Sequence, residues 1–403
     1  MRVASLDLIR GIAVLGILAI NIAGFAGPSA GTLSPNVPSP VGHWDEATFA
    51  FSFVVFEGKM RALFAILFGA SMALFIDHAD SKGRDGDALQ AKRLAWLMLF
   101  GVAHYVLLWW GDILFAYAAC GVVLLLLHRL PERLLGAGAA ALFLLLHLQG
   151  MLAMLPMVAA EEAVRLRHAS SDQASSVAQY HGYLLKTAAR EFGQYTGDFW
   201  HILSIKMHDH PFWQLAGVRD GFAEFLPLMT CGLILQRRGF FAGTWNRTLM
   251  LRLGLGAALA GLVATVGALA WLWPRHFPPV AMDAALRYGL ALPHFVTALG
   301  YAALLVLVTP WLLRTSLGLR MAAAGRMAFS NYLGTSLVMT ALFYGWGFGL
   351  FGQFGPLGQS AFVLLGWGLM LGWSAPWLAR WRRGPLEWLW RMATERRILP
   401  NRR

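Results

Sequence analysis

Long apolar runs alternate with short polar connectors along the chain, and this alternation dominates every other signal. About ten runs are long enough to read as membrane helices, since a helix needs roughly 20 apolar residues to span a bilayer. They cover residues 8–26, 48–77, 92–110, 113–129, 134–157, 220–236, 249–273, 288–313, 321–346 and 359–380. The pattern predicts an all-α, polytopic membrane helix bundle. It divides into N-terminal membrane helices over 1–157, an external insertion over 158–219, C-terminal membrane helices over 220–380 and a cytoplasmic interfacial tail over 381–403. Gly11–Ala26 could also be a signal-peptide core, but Arg10 and Asn21 bracket it and suit a retained helix better.

The connectors set an orientation. Those after the second, fourth, sixth and eighth runs carry Lys82, Arg84, Lys92, Arg93, Arg129, Arg133, Arg237, Arg238, Arg247, Arg314 and Arg320. The opposite connectors at 27–47 and 347–358 hold no Lys or Arg. By the positive-inside rule both termini are expected in the cytoplasm. The tail segment GPLEWLWRMATERR reads as a short helix with Trp388 and Trp390 at headgroup level.

The 158–219 connector is longer than ordinary loops. It is Ser-rich at Ser170–Ser176, and Tyr180, Tyr183, Tyr195, Phe199 and Trp200 argue against disorder. One or two helices lying over the external mouth are expected there. His201, His208, Asp209 and His210 could hold a metal, but a polar helix end explains them more simply, and no metal is expected.

Composition narrows the class. The chain is 58% hydrophobic and 13% charged, against about 25% charged in soluble domains. The net charge of +12 need not mean nucleic acid, because the cations gather in the connectors. Cys120 and Cys231 lie in apolar runs and read as buried thiols. The implied partners are the lipid bilayer and a small molecule.

Candidate chemistry comes from titratable groups inside apolar runs, where each costs about 2.5–3.5 kcal/mol to insert and therefore faces a protein interior or a watery cavity. Glu57, Lys59 and Arg61 fall between two apolar runs. Glu57 and Arg61 are four apart and can pair on one helix face; alternatively Lys59 or Arg61 binds an anion. His104 lies in LFGVAHYVLLWWGDILFAY, eleven residues after Arg93, or about 16 Å along a helix. It is a candidate general base, or else a packing histidine. Asp112 follows Gly111 at a helix break and can orient that imidazole, or be a simple loop aspartate. Arg10 at one end of the first helix is an anchor or an anion ligand, and Asn21 deep in it is interhelical glue or a site residue. His43 precedes the second run, where a surface histidine is the default reading. Ser330 and Asn331 add polar groups early in the ninth run.

The segments SLDLIRGIAVLGILAINI, EGKMRALFAILFGASMALF, RLAWLMLFGVAHYVLLWWGDILFAYAACG, AAGRMAFSNYL and GPLEWLWR together resemble the YeiB family of bacterial inner-membrane proteins. The resemblance runs from residue 5 to 391, with the 158–219 loop its least typical part. It implies a multi-pass protein of the bacterial inner membrane. Arg10-Gly11 followed by Asn21 is also similar, more remotely, to the first helix of membrane acyltransferases. The sugar O-acetyltransferase type has its catalytic His at the place of Asn21, so that role does not carry over. The heparan-glucosaminide N-acetyltransferase type is similar in having Asn there, with its His ahead of the second helix. His43 is the nearest match, with His104 as competitor.

These likenesses imply a transmembrane acyltransferase. Acetyl-CoA or another acyl-CoA would approach near Arg10, Lys92 and Arg93. His104 or His43 would take the acceptor proton, Asp112 would hold the imidazole, and Asn21 with Glu57, Lys59 or Arg61 would face substrate. A proton-coupled transporter or exporter of a small solute uses buried charge equally well. A lipid- or partner-binding scaffold is a third reading, suggested by the Trp-rich tail. Gly254-x-Gly256 and Gly345-x-Gly347 permit close helix contacts, including those of a homodimer.

Overall fold

The computed structural model describes residues 3–403, which form sixteen α-helices and no strand. The first helices are α1 (Ala4–Ala26), α2 (His43–Val55), α3 (Lys59–Asp80), α4 (Gly86–Leu107), α5 (Leu114–Leu127) and α6 (Glu132–Arg165). The insertion then supplies α7 (Ser171–Tyr195) and α8 (Phe199–Asp209), and the chain re-enters the bundle with α9 (Trp213–Arg237) and α10 (Arg247–Leu272). The rest are α11 (Pro279–Ala284), α12 (Ala291–Leu312), α13 (Ser316–Arg326), α14 (Ala328–Phe343), α15 (Pro356–Arg380) and α16 (Pro385–Glu395).

The chain is an all-α membrane helix bundle. Among the described residues, six segments are long and apolar enough to cross a bilayer: Ala4–Ala26, His43–Asp80, Glu132–Arg165, Arg247–Arg275, Ala291–Leu312 and Pro356–Arg380. The ten expected runs all fall on helices, but fewer pass as uninterrupted spans, for physical reasons. The second run breaks at Gly58, whose φ of +68° lies in the left-handed region that glycine tolerates. The ninth breaks at Met327, where Asn331 Nδ2 donates to the Ala324 carbonyl at 3.0 Å. The sixth run belongs to α9, which carries Arg219, Asp220 and Glu224 along its first half.

Most of α1 is buried, whereas α6 turns Leu144, Leu145, Leu148 and Leu152 outward and α10 does so with Leu259 and Val263, the pattern of lipid-facing helices. One apolar cluster joins α3, α9 and α12 through Ile66, Met229, Leu233 and Ala298. Another joins α1, α14 and α15 through Val14, Leu18, Met339 and Val363.

Small residues let the helices meet, because lipid gives no hydrophobic force between them. A Cβ on Gly69 would lie 1.8 Å from the Met229 carbonyl oxygen, and one on Gly232 1.8 Å from that of Ile66, so α3 and α9 touch backbone to backbone. Gly11 on α1 and Gly325 on α13 form a similar contact. Gly232→Val is therefore expected to destabilise the bundle by at least about 1–3 kcal/mol, the cost of overpacking. Thermal unfolding in detergent reads it as a lowered Tm, while Gly256→Ala, which meets nothing within 4 Å, leaves Tm unchanged. Gly254 and Gly345 are used inside the chain, against Ala303 and the Thr196 carbonyl.

The insertion packs on one face of the bundle. A capping box of Ser170 and Gln173 starts α7, and Asp198 caps α8. The opposite face gathers the start of α4, the end of α3 and all of α16, and is rich in arginine. We call these the insertion face and the basic face.

Candidate functional site

His104 sits in the last turn of α4, and the connector over 108–113 turns the chain back so that Asp112 reaches it. Its Nδ1 lies 2.8 Å from Asp112 Oδ1, and both side chains are fully buried. Asp112 Oδ2 accepts from the Phe115 amide at 2.9 Å, closing the first turn of α5, and from Gln214 Nε2 at 3.2 Å. A carboxylate at a helix N-terminus is favoured by the helix dipole. With Nδ1 donating to Asp112, Nε2 is the free basic nitrogen, and it has no hydrogen-bond partner. The imidazole packs beside Tyr332, ring centres 5.1 Å apart, and Trp109 at 6.4 Å.

Two cavities approach this pair from opposite faces. The larger, about 1310 Å³, opens toward the insertion face. Asn21, Glu57, Arg61, Asp112 and Trp109 line it, with Asp220, Glu224 and Arg287 from later helices. Tyr183 and Phe192 of α7 lie along it. Its main ion pair is a two-pronged contact of Arg61 with Glu224, Nε and one terminal nitrogen each 3.2 Å from a carboxylate oxygen. Glu57 stands further off, at 3.8 Å. The expected Glu57–Arg61 pairing is thus secondary to a partner 163 residues away.

The smaller cavity, about 430 Å³, opens toward the basic face. Arg10, Arg93, Arg326, Arg383 and Arg391 line its mouth, and Phe64, Phe68, Ile113, Tyr117 and Tyr332 its apolar depth. The Arg93 guanidinium carbon lies over the Phe75 and Trp390 rings, 4.0 and 4.5 Å from their centres. Trp390 Nε1 donates to the Arg93 carbonyl at 2.9 Å, so Trp390 turns inward rather than toward headgroups. Glu387 on α16 accepts from the Phe329 and Ser330 amides and from the Ser330 hydroxyl. Burial pushes its carboxyl above the usual range. Through these contacts α16 closes one wall of the cavity. Ile113 lines both cavities. Asp112 lines the larger cavity and Tyr332 the smaller, while His104, packed between these two side chains, lines neither.

Three candidates lie elsewhere. His43 is exposed and stacked near Trp273, lining neither cavity. It starts α2 at the surface, apart from the His104–Asp112 pair. Lys59 is wholly buried with Nζ 2.9 Å from the Phe53 carbonyl, because the break at Gly58 turns it into the helix junction rather than into a cavity. Lys92 is exposed and lies off the basic cavity, since its neighbour Arg93 takes the inward position on α4. Sequence reading missed Glu224, Tyr332 and Gln214, which meet the site only through tertiary contact. Among the described residues, no group of three or more His, Cys, Asp or Glu comes together to hold a metal.

A family model described as "Protein of unknown function (DUF418)" matches residues 235–397, which include Arg326, Tyr332 and Glu387 of the basic cavity. The chain is 31% identical over 404 residues to "Uncharacterized protein YeiB" of Escherichia coli (strain K12), covering 99% of this chain and 98% of that protein. It is 29% identical over 418 residues to "Uncharacterized protein YxaH" of Bacillus subtilis (strain 168), covering 98% and 94%. No solved structure matches.

Proposed function

The chain belongs to the YeiB family, and from that premise we propose that it is a transmembrane acyltransferase of the bacterial inner membrane, with the basic face in the cytoplasm. The orientation rests on the bias of Lys and Arg among the connectors. One observation carries the reaction: two cavities from opposite faces share Ile113, and beside it lies a buried His104–Asp112 pair with one open imidazole nitrogen, its carboxylate lining the larger cavity.

In this reading an acyl-CoA, acetyl-CoA as the simplest, enters the basic cavity. Arg10, Arg93 and Arg391 suit its phosphates, and the apolar depth suits its pantetheine arm. A hydroxyl or amine acceptor occupies the insertion-face cavity. His104 Nε2 takes the acceptor proton while the acceptor lone pair attacks the thioester carbonyl. The C–S bond breaks, and the imidazolium returns the proton to the departing thiolate. Asp112 keeps the imidazole in the right tautomer and orientation. Asn21 and Arg61, which face the same cavity, are the groups at hand for the oxyanion.

Acetyl-CoA supplied to the protein in lipid nanodiscs tests this directly. Saturable binding with slow thiol release is expected. In proteoliposomes the donor is expected to be consumed only from the basic face. Absence of both binding and release at millimolar acetyl-CoA sinks acyl transfer. The same opposed cavities would then serve as the two halves of a proton-coupled solute pathway, with His104 at the gate.

A further inference from the structure

We infer that Lys206, in the insertion, is a positioning residue that holds the His104–Asp112 pair in register. The inference rests on reading that pair as the proton-transfer centre. Lys206 belongs to α8, on the outer surface of the bundle, yet it is only 2% exposed. Its Nζ donates to the Tyr105 carbonyl at 2.9 Å and to the Leu108 carbonyl at 3.1 Å. Both carbonyls lie at the end of α4, where backbone acceptors lack helical partners and the dipole favours a cation. The His104 carbonyl in the same turn is occupied by the Leu108 and Trp109 amides. The ammonium therefore closes the turn that carries the imidazole.

Among the described residues no carboxylate pairs with Lys206; its partners are carbonyls and the face of Tyr105, 5.7 Å away. A buried ammonium without a counter-charge is costly, and a Met side chain would fill the same space at less expense. What the lysine adds is aim. The neighbouring residues act on the same segment: the Tyr105 hydroxyl donates to the His210 carbonyl at 2.8 Å, and Trp213 Nε1 donates to the Trp110 carbonyl at 2.9 Å. Gln214 Nε2 bridges the Gly101 carbonyl and Asp112. The stretch 206–214 thus grips the chain on both sides of His104. The insertion serves the dyad as a brace as well as serving the cavity as a wall.

Small displacements of a catalytic group cost about 10²-fold in rate. Lys206→Met in nanodiscs is expected to lower kcat for thiol release about 10- to 100-fold, with KM for acetyl-CoA within about twofold. Hydrogen exchange at the amides of residues 108–110 should quicken selectively, and Lys206→Arg should restore most of both quantities. Lys206→Gln, which keeps one donor, guards against failure of the Met variant to fold and should fall between. Unchanged kcat and exchange in Lys206→Met overturn the inference. So does a general rise in exchange with kcat and KM failing together, which marks mere structural damage. If the wild type releases no thiol at all, the acyltransfer reading fails, and the exchange experiment still decides whether Lys206 holds this turn.

Discussion

Replacing His104 by alanine or glutamine is expected to cut thioester turnover by about 10²–10⁴-fold, the range that a positioned general base contributes. The expectation follows from the geometry of one ring. Nδ1 is committed to Asp112 at 2.8 Å, and Nε2 is the only buried basic nitrogen of the pair left without a partner. An unmade buried hydrogen bond costs about 1–3 kcal/mol; buried His294 also leaves Nε2 unpartnered, and what sets His104 apart from it is the carboxylate on Nδ1. The His104 ring packs beside Tyr332, which lines the smaller cavity, and Trp109, which lines the larger. Asp112→Asn should give a comparable loss, because its carbonyl oxygen is held by the Phe115 amide, which turns the NH2 group toward Nδ1 and leaves the ring proton on Nε2. Single-turnover thiol release with equal acetyl-CoA binding checks the assignment. Wild-type turnover in a folded His104→Gln protein removes His104 from the chemistry, and the opposed cavities would then need a different occupant.

Much of this arrangement was legible in the sequence, and the part that was not has a common cause. Apolar runs reveal helices because each helix must satisfy its own backbone in lipid. His104 and Asp112 were readable as a pair because they are eight residues apart across a short reversal. Glu224 was not readable as the partner of Arg61, because nothing local marks a contact over 163 residues. Hydropathy gives the depth of a residue but not the direction in which its side chain points. Lys92 and Arg93 share a depth, yet one faces outward and the other enters a cavity. Lys59 and Arg61 differ likewise, because the break at Gly58 swings Lys59 into the helix junction. Lys206 went unnoticed for another reason. A lysine in a polar insertion looks ordinary until the fold lays that insertion on the end of α4.

Arg93→Gln is expected to raise KM for acetyl-CoA about 10- to 100-fold, the loss of a charge-assisted contact worth about 1.5–3 kcal/mol. Its guanidinium carbon lies 4.0 Å from the Phe75 ring centre and 4.5 Å from that of Trp390, so two aromatic rings hold it in place before any anion arrives. Preorganisation of this kind lowers the entropy cost of binding. No carboxylate among the described residues pairs with it, in contrast to Arg61 with Glu224 in the larger cavity. Arg93 stands eleven residues before His104 on one helix, about 16 Å away. The substitution should therefore leave kcat within about threefold while KM changes, since a contact made equally in ground and transition states acts on KM alone. Arg93→Lys should recover little, because an ammonium neither stacks like a guanidinium nor offers a two-pronged donor. The wild-type KM should also rise with ionic strength as the basic mouth is screened, and this dependence should weaken in the variant. An unchanged KM in Arg93→Gln would move the donor out of the basic cavity. A fall in kcat at constant KM would instead place Arg93 among the groups that hold the His104–Asp112 pair, and the cavity would lose its claim to the phosphates.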